Sequence, residues 1–467
     1  MRVLLALLLV LALAALPVGA DPPALQPLLD QQRDLLPPVG DPGGEVLTLE
    51  RCLQLAYDNH PILKSNRAKV TQARAQLGQA WALYEPQMGF TIERDWQLIN
   101  GELQTVFDLV KETTMTLGTT WTVLDSGVRH TQVEAARYGV STALYNLQSA
   151  WLTQYQDIQE AYVTVLQAQL NLAIQTGNLE RAQLNQTVSD QFYTAGQKGM
   201  ADVTSALSQV ATARAAIAQA KNDERNARLA LAQAVGVDRS VVEKARLEDI
   251  LSQEPTQQDR SAALKLVDLN PALLSLDAQA RNFELQAHIQ TLGNKPTVST
   301  SVGVGAQGLD LPNVPFFEVQ LFLTIPFFTP GLDSAEELAL ATAEQLRHDR
   351  ENVRLQLVQI MDSAFADLEA AQERTSASKD AVRAALANFQ LASKRYTAGL
   401  TDLAELINAR SFVLDAQGDL IEALTDRKIA EGELKAVTSE VFQGELSLPP
   451  DALAPQEPAS PQPKETP

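Results

Sequence analysis

Cysteine is almost absent: Cys52 is the single one in 467 residues. An internal disulfide is therefore excluded, and stability has to come from packing or assembly. Cys52 lies in a helical pattern with Leu49, Leu53 and Ala56, where a small buried apolar side chain is expected. Aromatic residues make up only 5% of the chain, while Ala and Gln fill long runs without Gly or Pro, so long helices are favoured over a sandwich of short strands. Positive charge is also scarce, with 37 Lys and Arg against 57 Asp and Glu and a net charge of -20. Phosphate binding needs Lys and Arg, which argues against nucleic acid as a partner, and the acidity reads first as solubility. The four histidines, His60, His130, His288 and His348, form no i,i+4 pair and no Cys/His cluster, so no metal site is expected. There is no Gly-rich phosphate loop, no G-x-S-x-G and no nucleophile beside a base. Acidic pairs such as Glu336-Glu337 read as solvated helix surface, so neither an enzyme nor a cofactor is expected.

The first twenty residues have a different character. Met1-Arg2 supplies a positive start, Val3 to Leu16 is apolar, and Pro17-Val18-Gly19-Ala20 offers small residues for cleavage before Asp21. The apolar run is short for a permanent span, so residues 1–20 read as a signal peptide and the chain as exported. No Cys follows the cut, so no lipid anchor is expected there. Residues 21–46 are Pro-rich, and 439–467 form a second Pro-rich tail; both are expected to be unstructured.

Between these ends the chain repeats itself. Pro61 and Pro271 are 210 apart, as are Pro86 and Pro296, Gly127 pairs with Gly331, and Tyr193-Thr194-Ala195-Gly196 reappears as Tyr396-Thr397-Ala398-Gly399. Four landmarks in the same order mark an internal duplication. The predicted copies are 47–237 and 261–438, joined by a polar linker at 238–260. Each copy reads as a short helix, two strands, a very long helix and a shorter helix.

After Pro86 and Pro296 the apolar period switches from helical to alternating. Met88, Phe90, Ile92 and Trp96 share one face, interrupted by Arg94; Met115, Leu117, Trp121 and Val123 share the next. In the second copy Val298, Val302, Val304 and Ala306 do the same, followed by Phe317, Val319, Leu321, Leu323 and Ile325, with Phe316 and Phe322 as exceptions. Period two is the strand signature. A soluble half-buried sheet gives the same alternation. Strands of this length with Thr, Ser, Gly and Gln on the opposite face also suit a membrane barrel around a wet lumen, with Trp96 and Trp121 at an interface. Four strands cannot close such a barrel, and open edges cannot remain in lipid, so a membrane reading requires several chains to share one barrel.

Gly127 to about Tyr193 contains no Pro, and Ser334 to Tyr396 contains neither Gly nor Pro. Each long helix would run roughly 90–100 Å at 1.5 Å per residue. Val203, Val210 and Ile217 recur every seven residues, beside Ala206, Ala213 and Ala220, and Leu406, Val413 and Leu420 do likewise. Such spacing suits a coiled coil or an antiparallel bundle, with the YTAG segments as the turns between long and shorter helices.

The order of elements, the His60-Pro61 and Asn270-Pro271 helix starts, the Leu124-Asp125-Ser126-Gly127-Val128-Arg129 helix entry and the Tyr-x-x-Gly turns resemble the outer-membrane efflux protein family typified by TolC. The resemblance covers nearly all of Leu47 to Thr438. It implies an α+β membrane protein in the cell outer membrane: long antiparallel coiled-coil helices forming a periplasmic α-barrel, and four strands per chain contributed to a shared, trimeric, twelve-stranded β-barrel in outer-membrane lipid. It further implies a homotrimer serving tripartite efflux or type I secretion with a periplasmic adaptor (membrane fusion) protein and an inner-membrane pump. By the same resemblance Asp202, Tyr396, Glu405 and Asn408 occupy the positions of a periplasmic gate, and Gly196-Gln197-Lys198 and Gly399-Leu400-Thr401 those of adaptor-contacting tips. Thr401 stands where the family has Arg, and Asn408 replaces a second acidic residue, so any gate must be bonded differently. Solvated tip charges are the alternative for the acidic residues. The alternative for the whole chain is an exported coiled-coil or adaptor protein without a pore.

Overall fold

A computed structural model describes residues 35–36, 46–100, 107–253, 259–308, 312–327, 329–398 and 400–439, with 96–100, 107–111 and 397 described by backbone alone. The expected signal peptide, most of the N-terminal Pro-rich segment, nearly all of the C-terminal tail, Gly399 and the Trp96 side chain lie outside the described residues.

The element order is β1 (Val46–Leu47), α1 (Leu49–Asn59), α2 (Pro61–Ala82), β2 (Gln87–Asn100), β3 (Phe107–Leu124), α3 (Val128–Thr194), α4 (Met200–Val235), α5 (Arg239–Glu243), β4 (Arg246–Leu247), α6 (Arg260–Val267), α7 (Pro271–Leu292), β5 (Thr297–Gly308), β6 (Val314–Thr324), α8 (Leu332–Thr397) and α9 (Leu403–Val437). Where one short helix is expected at the start of each copy, two are present. Proline is the reason: His60 and Asn270 are forced into extended backbone, with ψ of 127° and 131°, so one helix ends there and Pro61 or Pro271 opens the next.

The long helices, 67 and 66 residues, start from left-handed backbone. Ser126 and Gly127 have φ of 56° and 98°, and Gly331 has φ of 94°. At the first entry the Asp125 carboxylate accepts from the backbone N–H of Gly127 (3.2 Å) and of Arg129 (2.7 Å) and from Arg129 Nε (2.8 Å). These bonds satisfy donors that the first helical turn leaves free. They hold the Asp125 carboxyl below its ordinary range although burial opposes this.

β2, β3, β5 and β6 form one antiparallel sheet in that order, so β3 and β5 join the two copies and β2 and β6 are its edges. The register sorts the side chains cleanly. Phe90 lies opposite Leu117, Leu117 opposite Val304 and Val304 opposite Phe317, while Gly118 lies opposite Gly303 and Gly303 opposite Glu318. On the apolar face Met88, Phe90, Ile92, Leu117, Trp121, Val304, Phe317, Val319, Leu321 and Leu323 are all exposed. The other face carries Thr91, Thr116, Ser301, Gly303, Gly305 and Gln320, with Phe316 and Phe322 among them as expected. Gly305 is needed for close approach: a Cβ there would stand 2.1 Å from the Met115 carbonyl oxygen and 2.8 Å from the Phe316 ring.

The expected polar linker at 238–260 is folded over most of its length. Asp238 caps α5, β4 pairs in parallel with β1, and Val242, Leu247, Ile250 and Leu251 are buried. The Arg228 guanidinium donates to the carbonyls of Val242 (2.7 Å) and Ala245 (2.9 Å), and the Tyr162 hydroxyl lies 2.9 Å from the carbonyls of Leu47 and Glu248. Apolar residues spaced through a polar stretch supply the buried surface, and these bonds satisfy its backbone. Within the Pro-rich N-terminal segment Leu35 is likewise buried, its carbonyl accepting from Gln417 Nε2 at 2.9 Å, so that point departs from the expectation of an unstructured segment. Cys52 is fully buried as expected, and burial pushes its thiol up to about 12.

By contacts the chain divides into two compact units: one built mainly from Thr164–Ala227 and Ala370–Arg427, the other from the described parts of Glu45–Val163 and Arg228–Glu369 with Lys428 onward. Each unit thus takes helix segments from both sequence copies. In the second unit Ala263, Val267, Met361, Ala364, Leu368, Ala430, Leu434 and Val437 form an apolar core. No described helix is long and apolar enough to cross a membrane.

Candidate functional site

The turns that join α3 to α4 and α8 to α9 lie in the first unit, around a core of Ala206, Ala392, Tyr396, Leu403, Leu406 and Ala409. Val188, Phe192, Phe389 and Ile407 pack against it. Gly196 has φ of 70°, and the N–H groups of Gln197 (2.9 Å) and Lys198 (3.4 Å) return to the Phe192 carbonyl. This is a left-handed helix stop, and it leaves Gln197 exposed. In the second turn the Leu400 N–H donates to the Arg395 carbonyl at 2.9 Å and the Leu400 side chain is exposed. Asp402 Oδ1 accepts from the Glu405 N–H at 3.0 Å, capping α9.

Tyr396 is buried. Its hydroxyl lies 3.2 Å from Ser189 Oγ, its ring meets Phe192 edge-on at 5.7 Å, and Lys198 Nζ stands 5.8 Å from the ring centre. The same ammonium donates to the Thr401 carbonyl at 3.4 Å, tying one turn to the other. Glu405 accepts from Arg395 at 2.7 Å and from the Thr401 hydroxyl. The missing Arg at 401 is thus answered by Arg395, one residue before Tyr396. Asp202 is half-buried and Asn408 exposed; neither side chain has a hydrogen bond or ion pair among the described residues, and within one chain the structure does not join them to Glu405.

Sequence reading missed Ser189, Phe192, Arg395 and Arg410. Arg410 is buried in the same unit, its guanidinium donating to the carbonyl oxygen and Oδ1 of Asn178. Burial, with Arg181 adding repulsion, lowers it to about 10. Its place in the α9 heptad beside Ala409 and Val413 was the available signal, since a charge on an apolar stripe needs a partner. No group of His, Cys, Asp and Glu that could hold a metal ion occurs among the described residues.

The model of the outer membrane efflux protein family matches residues 52–237 and 265–440. The chain belongs to that family. An outer membrane efflux protein is a channel rather than an enzyme, which excludes the pore-free alternative. The chain is an outer-membrane channel component of a tripartite efflux or type I secretion system, placed in the cell outer membrane with its helical tunnel in the periplasm. It is 27% identical to Protein CyaE of Bordetella pertussis over 398 residues, covering 82% of this chain and 81% of that protein. It is 24% identical to outer membrane efflux protein BepC of Brucella suis over 413 residues, covering 88% and 89%. The fold is that of the CmeC outer membrane channel of Campylobacter jejuni, with a TM-score of 0.72, 16% identity and coverage of 85% and 89%.

Proposed function

We propose that three copies of this outer membrane efflux protein close one twelve-stranded β-barrel in outer-membrane lipid, continued in the periplasm by a hollow α-barrel of α3, α4, α8 and α9. The observation that carries this is the sheet: four strands, edges β2 and β6 unpaired among the described residues, and one face of exposed apolar side chains. Unpaired edges are excluded from lipid, so the sheet needs partners. Two copies would give eight strands, whose interior is just filled by side chains, whereas three leave a water-filled lumen against the Thr, Ser, Gly and Gln face.

The sequence copies 47–237 and 261–438 supply one hairpin and one helical turn each. At the turns we assign Asp202, Tyr396, Glu405 and Asn408 to a periplasmic gate, and Gly196, Gln197, Lys198, Gly399, Leu400 and Thr401 to contact with a periplasmic adaptor protein that links the channel to an inner-membrane pump. Support for the gate is the Lys198–Thr401 and Ser189–Tyr396 bonding that holds the two turns together. The decisive experiment is the mass of the detergent-extracted protein with its conductance in planar bilayers. A particle of about three times the chain mass that conducts ions is expected; a monomer or dimer refutes the assembly.

A further inference from the structure

The two YTAG turns are identical in sequence and opposite in environment. With the offset of 203 residues that relates them, three positions spaced by seven can be compared. Tyr396 is 1% exposed and its counterpart Tyr193 is 48% exposed; Leu403 is 3% exposed and Met200 56%; Arg410 is 5% exposed and Leu207 47%. What covers the first series is α3 of the same chain: Val188 and Phe192 pack on the cluster of Tyr396 and Leu403, and Asn178 receives Arg410. The positions on α8 that correspond to Val188 and Phe192 are Leu391 and Arg395, and both are exposed. Both halves of a second seam are therefore present on one chain, and both are uncovered.

We infer that Tyr193, Met200 and Leu207 of one copy pack on the α8 surface around Leu391 and Arg395 of the next, repeating between chains the contact that α3 makes within each chain. The occupant is a second copy of this chain. The inference rests on the assembly proposed above, and the internal repeat supplies the template for the contact. Neighbouring side chains agree with it. Exposed apolar residues stand on both surfaces, as a buried seam between copies requires. At the position of Phe192, whose edge meets Tyr396, the second seam has Arg395, and a guanidinium over the Tyr193 ring is a favourable replacement. Glu405, already bonded to Arg395, keeps that charge paired. The position that corresponds to Ser189 is Ala392, which is already buried within the chain against Tyr396 and Leu403, so the Tyr193 hydroxyl meets no counterpart of the Ser189–Tyr396 bond.

Cysteine cross-linking tests this directly, because Cys52 is buried and unreactive. In detergent-extracted full-length protein carrying Tyr193→Cys and Leu391→Cys, a short bismaleimide is expected to give covalent dimers and trimers on denaturing gels, with neither single variant doing so. Met200→Cys with Arg395→Cys reports on the same seam should the first pair disturb the turn. Tyr193→Phe is expected to keep the wild-type particle mass. A wild-type extract of trimer mass with both double variants remaining monomeric on the gel overturns the seam and leaves the trimer standing. A wild-type extract that is not trimeric overturns both. Dimers from Tyr193→Cys alone overturn the seam, since they would place Tyr193 against its own counterpart.

Discussion

Replacing Glu405 by Ala tests the gate at its most polar point. Glu405 accepts from Arg395 at 2.7 Å and from Thr401, and both members of the ion pair are about half-exposed. An exposed pair of this kind contributes roughly 0.2–1 kcal/mol. Removing it leaves Arg395 able to find water, so the chain should lose less than about 1 kcal/mol of stability and its unfolding temperature should barely move. In the proposed trimer, with each pair made in the closed tip and lost on opening, three contributions add to at most about 3 kcal/mol, which corresponds to roughly a hundredfold change in an open-to-closed ratio. Conductance of Glu405→Ala in planar bilayers should therefore rise above wild type. The screening length falls from about 10 Å in 0.1 M salt to about 3 Å in 1 M, so the difference should narrow at high salt. Unchanged conductance at 0.1 M would refute the gate assignment. An equal rise at both salt concentrations would refute its electrostatic basis, pointing to lost bulk instead of lost charge.

Gly305→Val should abolish the assembled channel, because the new side chain has no room between the Met115 carbonyl and the Phe316 ring, and β3 must part from β5. Gly78→Ala in α2, where a Cβ meets nothing within 4 Å, should be tolerated and gain roughly 0.5–1 kcal/mol; outer-membrane yield and particle mass distinguish the two. Cys52 should resist iodoacetamide at pH 8.5 in the folded protein and react once unfolded, since its folded-state value of about 12 keeps it protonated until the pH rises well past the ordinary thiol range. Because that value is raised, its contribution to stability is present below the unfolded thiol pKa and is lost as the pH rises toward 12, so alkaline unfolding should expose it; mass spectrometry of the alkylated protein reads both states.

Periodicity makes much of this channel legible in its sequence. A strand side chain points to one face or the other, so alternation alone assigned the apolar face, the polar face and the two Phe exceptions, all of which the register reproduces. Proline and glycine marked the helix starts and the entries to the long helices because each restricts or permits backbone angles locally. The polar stretch at 238–260 was harder to read, since its buried residues are scattered singly and its backbone is held by Arg228 of the preceding helix and by Tyr162 of the more distant α3. At the turns the limit is plainest. Tyr193 and Tyr396 sit in the same four residues, and no local rule separates them; only the arrival of α3, with Ser189 and Phe192, buries Tyr396 while Tyr193 stays uncovered within its own chain. Likewise Thr401 stands where the family has Arg, and the cation that pairs with Glu405 is Arg395 from across the turn. Backbone geometry and side-chain facing are local properties, and the sequence by itself determined them here. Which neighbour completes a buried contact depends on chain segments far apart, and the tertiary structure alone decided that.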